Sequence, residues 1–136
     1  MLKCTNAIKR EALQRISEPY CFCCDENKIR KLTAHHHGYF GDSVVYKQFE
    51  KTDDGQMKYW ANLTANEIPI RPHNFAVLCH RCHQMVEHLL QLPTSEAQHW
   101  IHEKEEMGST KVDYGRIEQV WETSCEARDS TGWFWS

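Results

Sequence analysis

Nowhere in the 136 residues is there an uncharged apolar run of the ~18 residues that a membrane helix needs. The N-terminus, Met1-Leu2-Lys3-Cys4-Thr5-Asn6, lacks the apolar stretch of a secretory signal. Both absences point to a soluble, cytoplasmic chain with no membrane partner, in a compartment where disulfides are disfavoured. A positive excess, the usual footprint of a nucleic-acid binder, is also missing, with 16 Lys+Arg against 19 Asp+Glu. The imbalance is local: residues 1–93 hold 12 basic against 10 acidic side chains, whereas 94–136 hold 4 against 9. There is no internal repeat or low-complexity segment, and the length leaves room for one domain spanning 1–136 rather than two.

What the chain has instead is seven cysteines and nine histidines. Cys21 and Cys24 form one CxxC, and Cys79 and Cys82 form another. Two such knuckles supply the four thiolates of a closed, tetrahedral structural Zn²⁺ site, which leaves no position for a substrate. Cys23 competes with Cys24, but only Cys24 keeps two residues between itself and Cys21. Free buried thiols, or redox or metal sensing through Cys21–Cys24, are the alternatives. The 54 residues between Cys24 and Cys79 exceed what a compact ribbon needs, so something is inserted between the knuckles.

Periodicity predicts a helix over 6–17 with Ile8, Ala12, Leu13 and Ile16 inward and Thr5 as N-cap. Strands are expected at 29–34 and 75–78, and a helix from about 81 to 91 ends before Pro93. Ser95 and Gln98 resemble a capping box for a helix running to Gly108, and a last helix covers 114–127. Between 44 and 63 the Asp54-Gly55 dipeptide suggests the turn of a β-hairpin. That hairpin would carry Tyr46, Lys47, Lys51, Lys58, Tyr59 and Trp60, suited either to packing or to contact with bases. The basic residues Lys28, Arg30, Lys31 and Arg81 flank the two knuckles and are candidate phosphate contacts or plain surface charges.

Between the knuckles stands Leu32-Thr33-Ala34-His35-His36-His37, and later Asn74-Phe75-Ala76-Val77-Leu78-Cys79-His80-Arg81-Cys82-His83. A knuckle, a strand ending in His-His, an Asn opening a second strand and a CxxCH running into a helix together resemble the zinc-stapled HNH endonucleases, over about residues 19–92. The resemblance implies an α+β fold with a ββα-metal (His-Me finger) core, a Cys4 structural zinc, an inserted hairpin within 38–73, and flanking N- and C-terminal helices. It implies His35 as a ligand of a catalytic divalent ion, His36 as general base and Asn74 as the residue that orients the base. A register shifted by one, with His36 as ligand and His37 as base, stays open.

His83, at the start of the helix, is the second ligand. At about 100° per residue Glu87 lies ~40° round from His83 and His88 ~140°, so Glu87 is the better third ligand or else a solvated helix carboxylate, and His88 is left to the surface or a phosphate contact. The expected reaction is hydrolysis of DNA phosphodiesters, double-stranded DNA being the partner, with Mg²⁺, Mn²⁺, Ni²⁺ or Zn²⁺ as the catalytic cation, one strand nicked per active site. A non-catalytic zinc module that binds DNA or a protein is the competing reading. The acidic helical extension 94–136 offers a surface for a protein partner or a homodimer.

Overall fold

The computed structural model describes the backbone of residues 2–38, 53–108 and 111–131, and side chains over 6–38, 55–108 and 111–128. It is an α+β structure. Helix α1 (Leu2–Ile16) is followed by the first cysteine knuckle and strand β1 (Leu32–His36). Helix α2 (Asp53–Asn62), strand β2 (Phe75–Cys79), α3 (His80–Leu90), α4 (Thr94–Met107) and α5 (Tyr114–Thr131) complete it. No helix among the described residues is long and apolar enough to cross a membrane.

The two strands pair antiparallel, with Leu32 opposite Cys79 and His36 opposite Phe75. This register brings the second knuckle to the start of β1 and places His35 beside Ala76 at the other end. Cys79 both ends β2 and caps α3, its sulfur accepting from the Cys82 N–H at 3.4 Å. Strand and helix are thus joined without a loop. The core combines Ala12 and Leu13 of α1, Leu32, Val77 and Leu78 of the sheet, and Val86 and Leu89 of α3 with Ile101, Ile117, Val120 and Trp121 of the last two helices. The acidic extension is therefore part of the core rather than an appendage.

Several expectations are corrected. Residues 53–62 are helical and Leu63–Glu67 continue as a π turn, so the inserted β-hairpin is wrong from Asp53 onward; residues 44–52, with Tyr46, Lys47 and Lys51, lie outside the described residues. The reason is the spacing of Tyr59, Trp60 and Leu63, which is helical, and their complete or near-complete burial. Packing of that stripe overrides the Asp-Gly turn preference. Thr5 lies inside α1 and not at its cap, Ile29–Lys31 form a 3₁₀ turn before β1, and Ser95 lies inside α4, whose N-cap is Pro93 with no side-chain bond. Gly108 ends α4 at φ 72°, the left-handed conformation that glycine adopts without strain. The terminal Trp133-Phe134-Trp135 lies outside the described residues.

Candidate metal centres

The first centre is sulfur. Cys21, Cys24, Cys79 and Cys82 bring their Sγ atoms within 4.8 Å of one another, and Cys24 and Cys79 are 3.5 Å apart. Thiolates held tetrahedrally at ~2.3 Å stand about 3.8 Å apart, so the geometry fits a four-sulfur ion site such as zinc. The backbone builds it. Asp25 adopts φ 63°, which turns the chain back so that the Cys21 N–H donates to the Glu26 carbonyl and the Asp25 N–H to the Cys21 carbonyl. The Phe22 N–H donates to the Val77 carbonyl at 2.9 Å and fastens this knuckle to β2.

Charge gives the cluster its need for a cation. Hydrogen bonds from the Cys23 and Cys82 thiols hold Cys21 far below the ordinary thiol range, while the same contact with Cys21 pushes Cys82 far above it. Burial raises Cys24 to about 11. One thiolate is easily held here; four require a dication to neutralise them. Cys23 is buried against Cys21 and Cys82 but outside the four-sulfur group.

The second centre is built from His35, His83 and Glu87, whose ligating atoms also converge within 4.8 Å. Glu87 Oε1 is 3.5 Å from His35 Nδ1 and 3.5 Å from His83 Nε2. Donors bound to one divalent ion at ~2.1 Å stand about 3.0–3.5 Å apart, so these three fit such an ion. His35 is fully buried and its Nδ1 has no hydrogen-bond partner among the described residues. His83 and Glu87 are each one-third exposed, which leaves a side open to solvent. Of the three consecutive histidines, the one that joins His83 and Glu87 is His35.

His36 points to the other face of β1. Its ring lies 4.7 Å from that of Phe75, and burial, then the neighbouring His83 and Arg128, lower its pKa to about 4. His37 returns to the side of His35, the two rings meeting edge to face at 5.4 Å. Asn74 clamps the segment beyond: its Nδ2 donates to the Gly38 carbonyl at 2.8 Å and its Oδ1 accepts from the Gly38 N–H at 2.9 Å. The His37 N–H adds a bond to the Asn74 carbonyl at 2.8 Å.

Of the basic candidates, Lys28 and Arg30 are exposed on the turn before β1. Lys31 and Arg81 line one open cavity of about 610 Å³ beside Cys24 and Cys79, together with Lys111, Asp25 and Glu26. His88 is exposed at the surface of α3.

Two residues of the second centre escaped the sequence reading. Ser124 Oγ lies 2.8 Å from His35 Nε2 and 3.0 Å from His37 Nδ1. Arg128 donates from Nη2 to Glu87 Oε1 at 3.4 Å and from Nε to the His37 carbonyl at 3.2 Å. The available signal is periodic: 124 and 128 continue the buried stripe of Ile117, Val120 and Trp121, so polar groups stand where a helix buries apolar ones.

No protein-family model, curated protein or solved structure matches this chain.

Proposed function

We propose that the chain is a metal-dependent HNH-type endonuclease, built on a ββα-metal core, that hydrolyses phosphodiester bonds in double-stranded DNA. The observation that carries this reading is the convergence of His35, His83 and Glu87 beside a separate four-cysteine cluster, across one strand pair and the helix that follows it. A closed sulfur centre has a structural use, whereas three donors with an open side suit a reactive ion. When bound there, a divalent cation supplies neutralising charge for the phosphate and the leaving oxygen.

The remaining work falls to the chain's own residues. His36 is the general base; its burial keeps the ring neutral at physiological pH, the state from which a base acts, while a pKa of about 4 makes it a weak one. Asn74 fixes the backbone directly after the histidine run and so limits how the His36 ring can turn. Lys31 and Arg81, with Lys111 beside them, offer positive charge to the backbone of a nucleic acid. One such site cuts one strand, so a double-strand break takes two copies.

A second reading, a zinc module that binds without cutting, draws on the near-complete burial of His36 against Phe75. Metal stoichiometry separates the two. The nuclease holds one tight zinc plus a weaker exchangeable ion that His83→Ala abolishes, and it cleaves plasmid DNA in Mg²⁺, Mn²⁺ or Ni²⁺. A chain that binds a single zinc and leaves every DNA substrate intact is the binding module.

A further inference from the structure

Three observations converge on helix α5. Its Ser124 hydroxyl bridges two histidine rings from a position 89 and 87 residues away in the chain. Its Arg128 spans the His37 carbonyl and the Glu87 carboxylate, and is itself almost fully buried. Its Ala127 sits so close to Gly38 that a Cβ added there would meet the Ala127 Cβ at 3.1 Å. The helix is seated on the end of β1 with little freedom to shift.

We propose that Ser124 is a positioning residue for the metal centre, holding the His35 ring in the tautomer and orientation that present a bare Nδ1 to the ion. The inference rests on the reading above, that His35, His83 and Glu87 bind a divalent cation. A neutral imidazole carries one ring proton, and a metal-binding Nδ1 requires that proton on Nε2. Ser124 Oγ is placed to accept it at 2.8 Å and can donate its own hydrogen to His37 Nδ1 at 3.0 Å. The opposite tautomer would direct an N–H from Nδ1 at the Glu87 carboxylate and close the metal position. His35 is fully buried and has no water-facing alternative, so the hydroxyl is the partner that satisfies Nε2–H in the metal-binding tautomer. Partners of this kind on the far nitrogen of a ligating histidine typically govern metal affinity by about 10–100-fold.

The test is Mn²⁺ affinity, read by electron paramagnetic resonance on the zinc-loaded full chain, with the His35 tautomer read by ¹⁵N NMR before Mn²⁺ is added. Ser124→Ala needs no extra space and is the variant of choice. The expected result is a wild-type His35 protonated on Nε2, a mixed or Nδ1-protonated ring in Ser124→Ala, and a weakening of Mn²⁺ binding by about 10–100-fold with zinc content unchanged. Ser124→Thr, which keeps the hydroxyl, is expected to bind Mn²⁺ more tightly than Ser124→Ala, and a folded Ser124→Thr protein that binds no better counts against the proposal. A Ser124→Ala protein that binds Mn²⁺ as tightly as wild type and keeps the Nε2–H tautomer overturns the proposal while leaving the metal centre standing. A wild-type chain that takes up no Mn²⁺, or takes it up equally well after His83→Ala, overturns the metal centre itself and the proposal with it.

Discussion

Asn74 and Gly38 exchange two hydrogen bonds, the side-chain amide serving as donor to one backbone group and acceptor from the other at 2.8 and 2.9 Å. Their 36-residue separation in the chain makes this a closure of the whole insertion, directly behind the histidine run. Asn74→Asp keeps the acceptor and loses the donor, leaving the Gly38 carbonyl facing a carboxylate. We predict a loss of about 1–3 kcal/mol in unfolding free energy, together with a larger fall in kcat than in substrate binding, the pattern expected of the proposed role of Asn74 in orienting the proposed base. Denaturant titration and single-turnover cleavage measure the two separately. Equal activity in Asn74→Asp contradicts the assigned role.

The sulfur centre distinguishes neighbours in sequence. Cys24 belongs to the four-sulfur group and Cys23 does not, although Cys23 is the more buried of the pair. Cys24→Ala is therefore expected to lose tight zinc and cooperative unfolding, whereas Cys23→Ala keeps one zinc per chain. Zinc quantification after gel filtration decides it, and the reverse pattern would show that the ligand is Cys23.

Much of the grouping of these residues is legible in the sequence because its spacings are local. Two residues between cysteines define each knuckle, and four residues along a helix put Glu87 beside His83. His35 joins this group only through the register of two strands, which the sequence suggests and the pairing of His35 with Ala76 supplies. Helix α2 departs from the hairpin expectation because Asp54-Gly55 is a strong local turn signal, while the stripe of Tyr59, Trp60 and Leu63 is decided by what it packs against. Ser124 and Arg128 were missed for a different reason: nothing local announces that a polar residue on the last helix meets a histidine on the first strand.

Gly38 offers a test of how tightly α5 is seated. Adding a methyl group there brings it to 3.1 Å from Ala127 Cβ and against backbone atoms at 3.4 Å, so the helix or the strand end must move. Gly38→Ala is expected to destabilise the fold by about 1–3 kcal/mol and to weaken the contacts of Ser124 and Arg128 with the centre. Thermal unfolding measures the first effect. A Gly38→Ala protein as stable as wild type would mean that α5 is loosely docked.

The buried histidines make stability depend on pH. Burial lowers both His36 and His37 to about 4, with Arg128 adding to the effect at each. In the unfolded chain the same rings titrate near ~6.5, so below that pH the unfolded state takes up protons that the folded state refuses. Their contribution is therefore complete above ~6.5 and is lost as the pH falls toward 4. Between pH 7.5 and 5.5 each ring should cost about 1 kcal/mol of stability. Urea titrations with zinc in excess check this, and His37→Gln should flatten the dependence by one ring's share. An unchanged slope in that variant would place His37 outside the buried set.

Whether the chain hydrolyses phosphodiesters as proposed is decided by nicking of supercoiled plasmid by the zinc-loaded chain in Mg²⁺, Mn²⁺ or Ni²⁺, compared with His36→Ala. Conversion to open circles by the wild type is expected, with a loss of at least about 100-fold in His36→Ala, the scale of a general base, and with zinc content and fold retained. Cleavage by His36→Ala at the wild-type rate, or no cleavage by the wild type in any of the three metals, would contradict it.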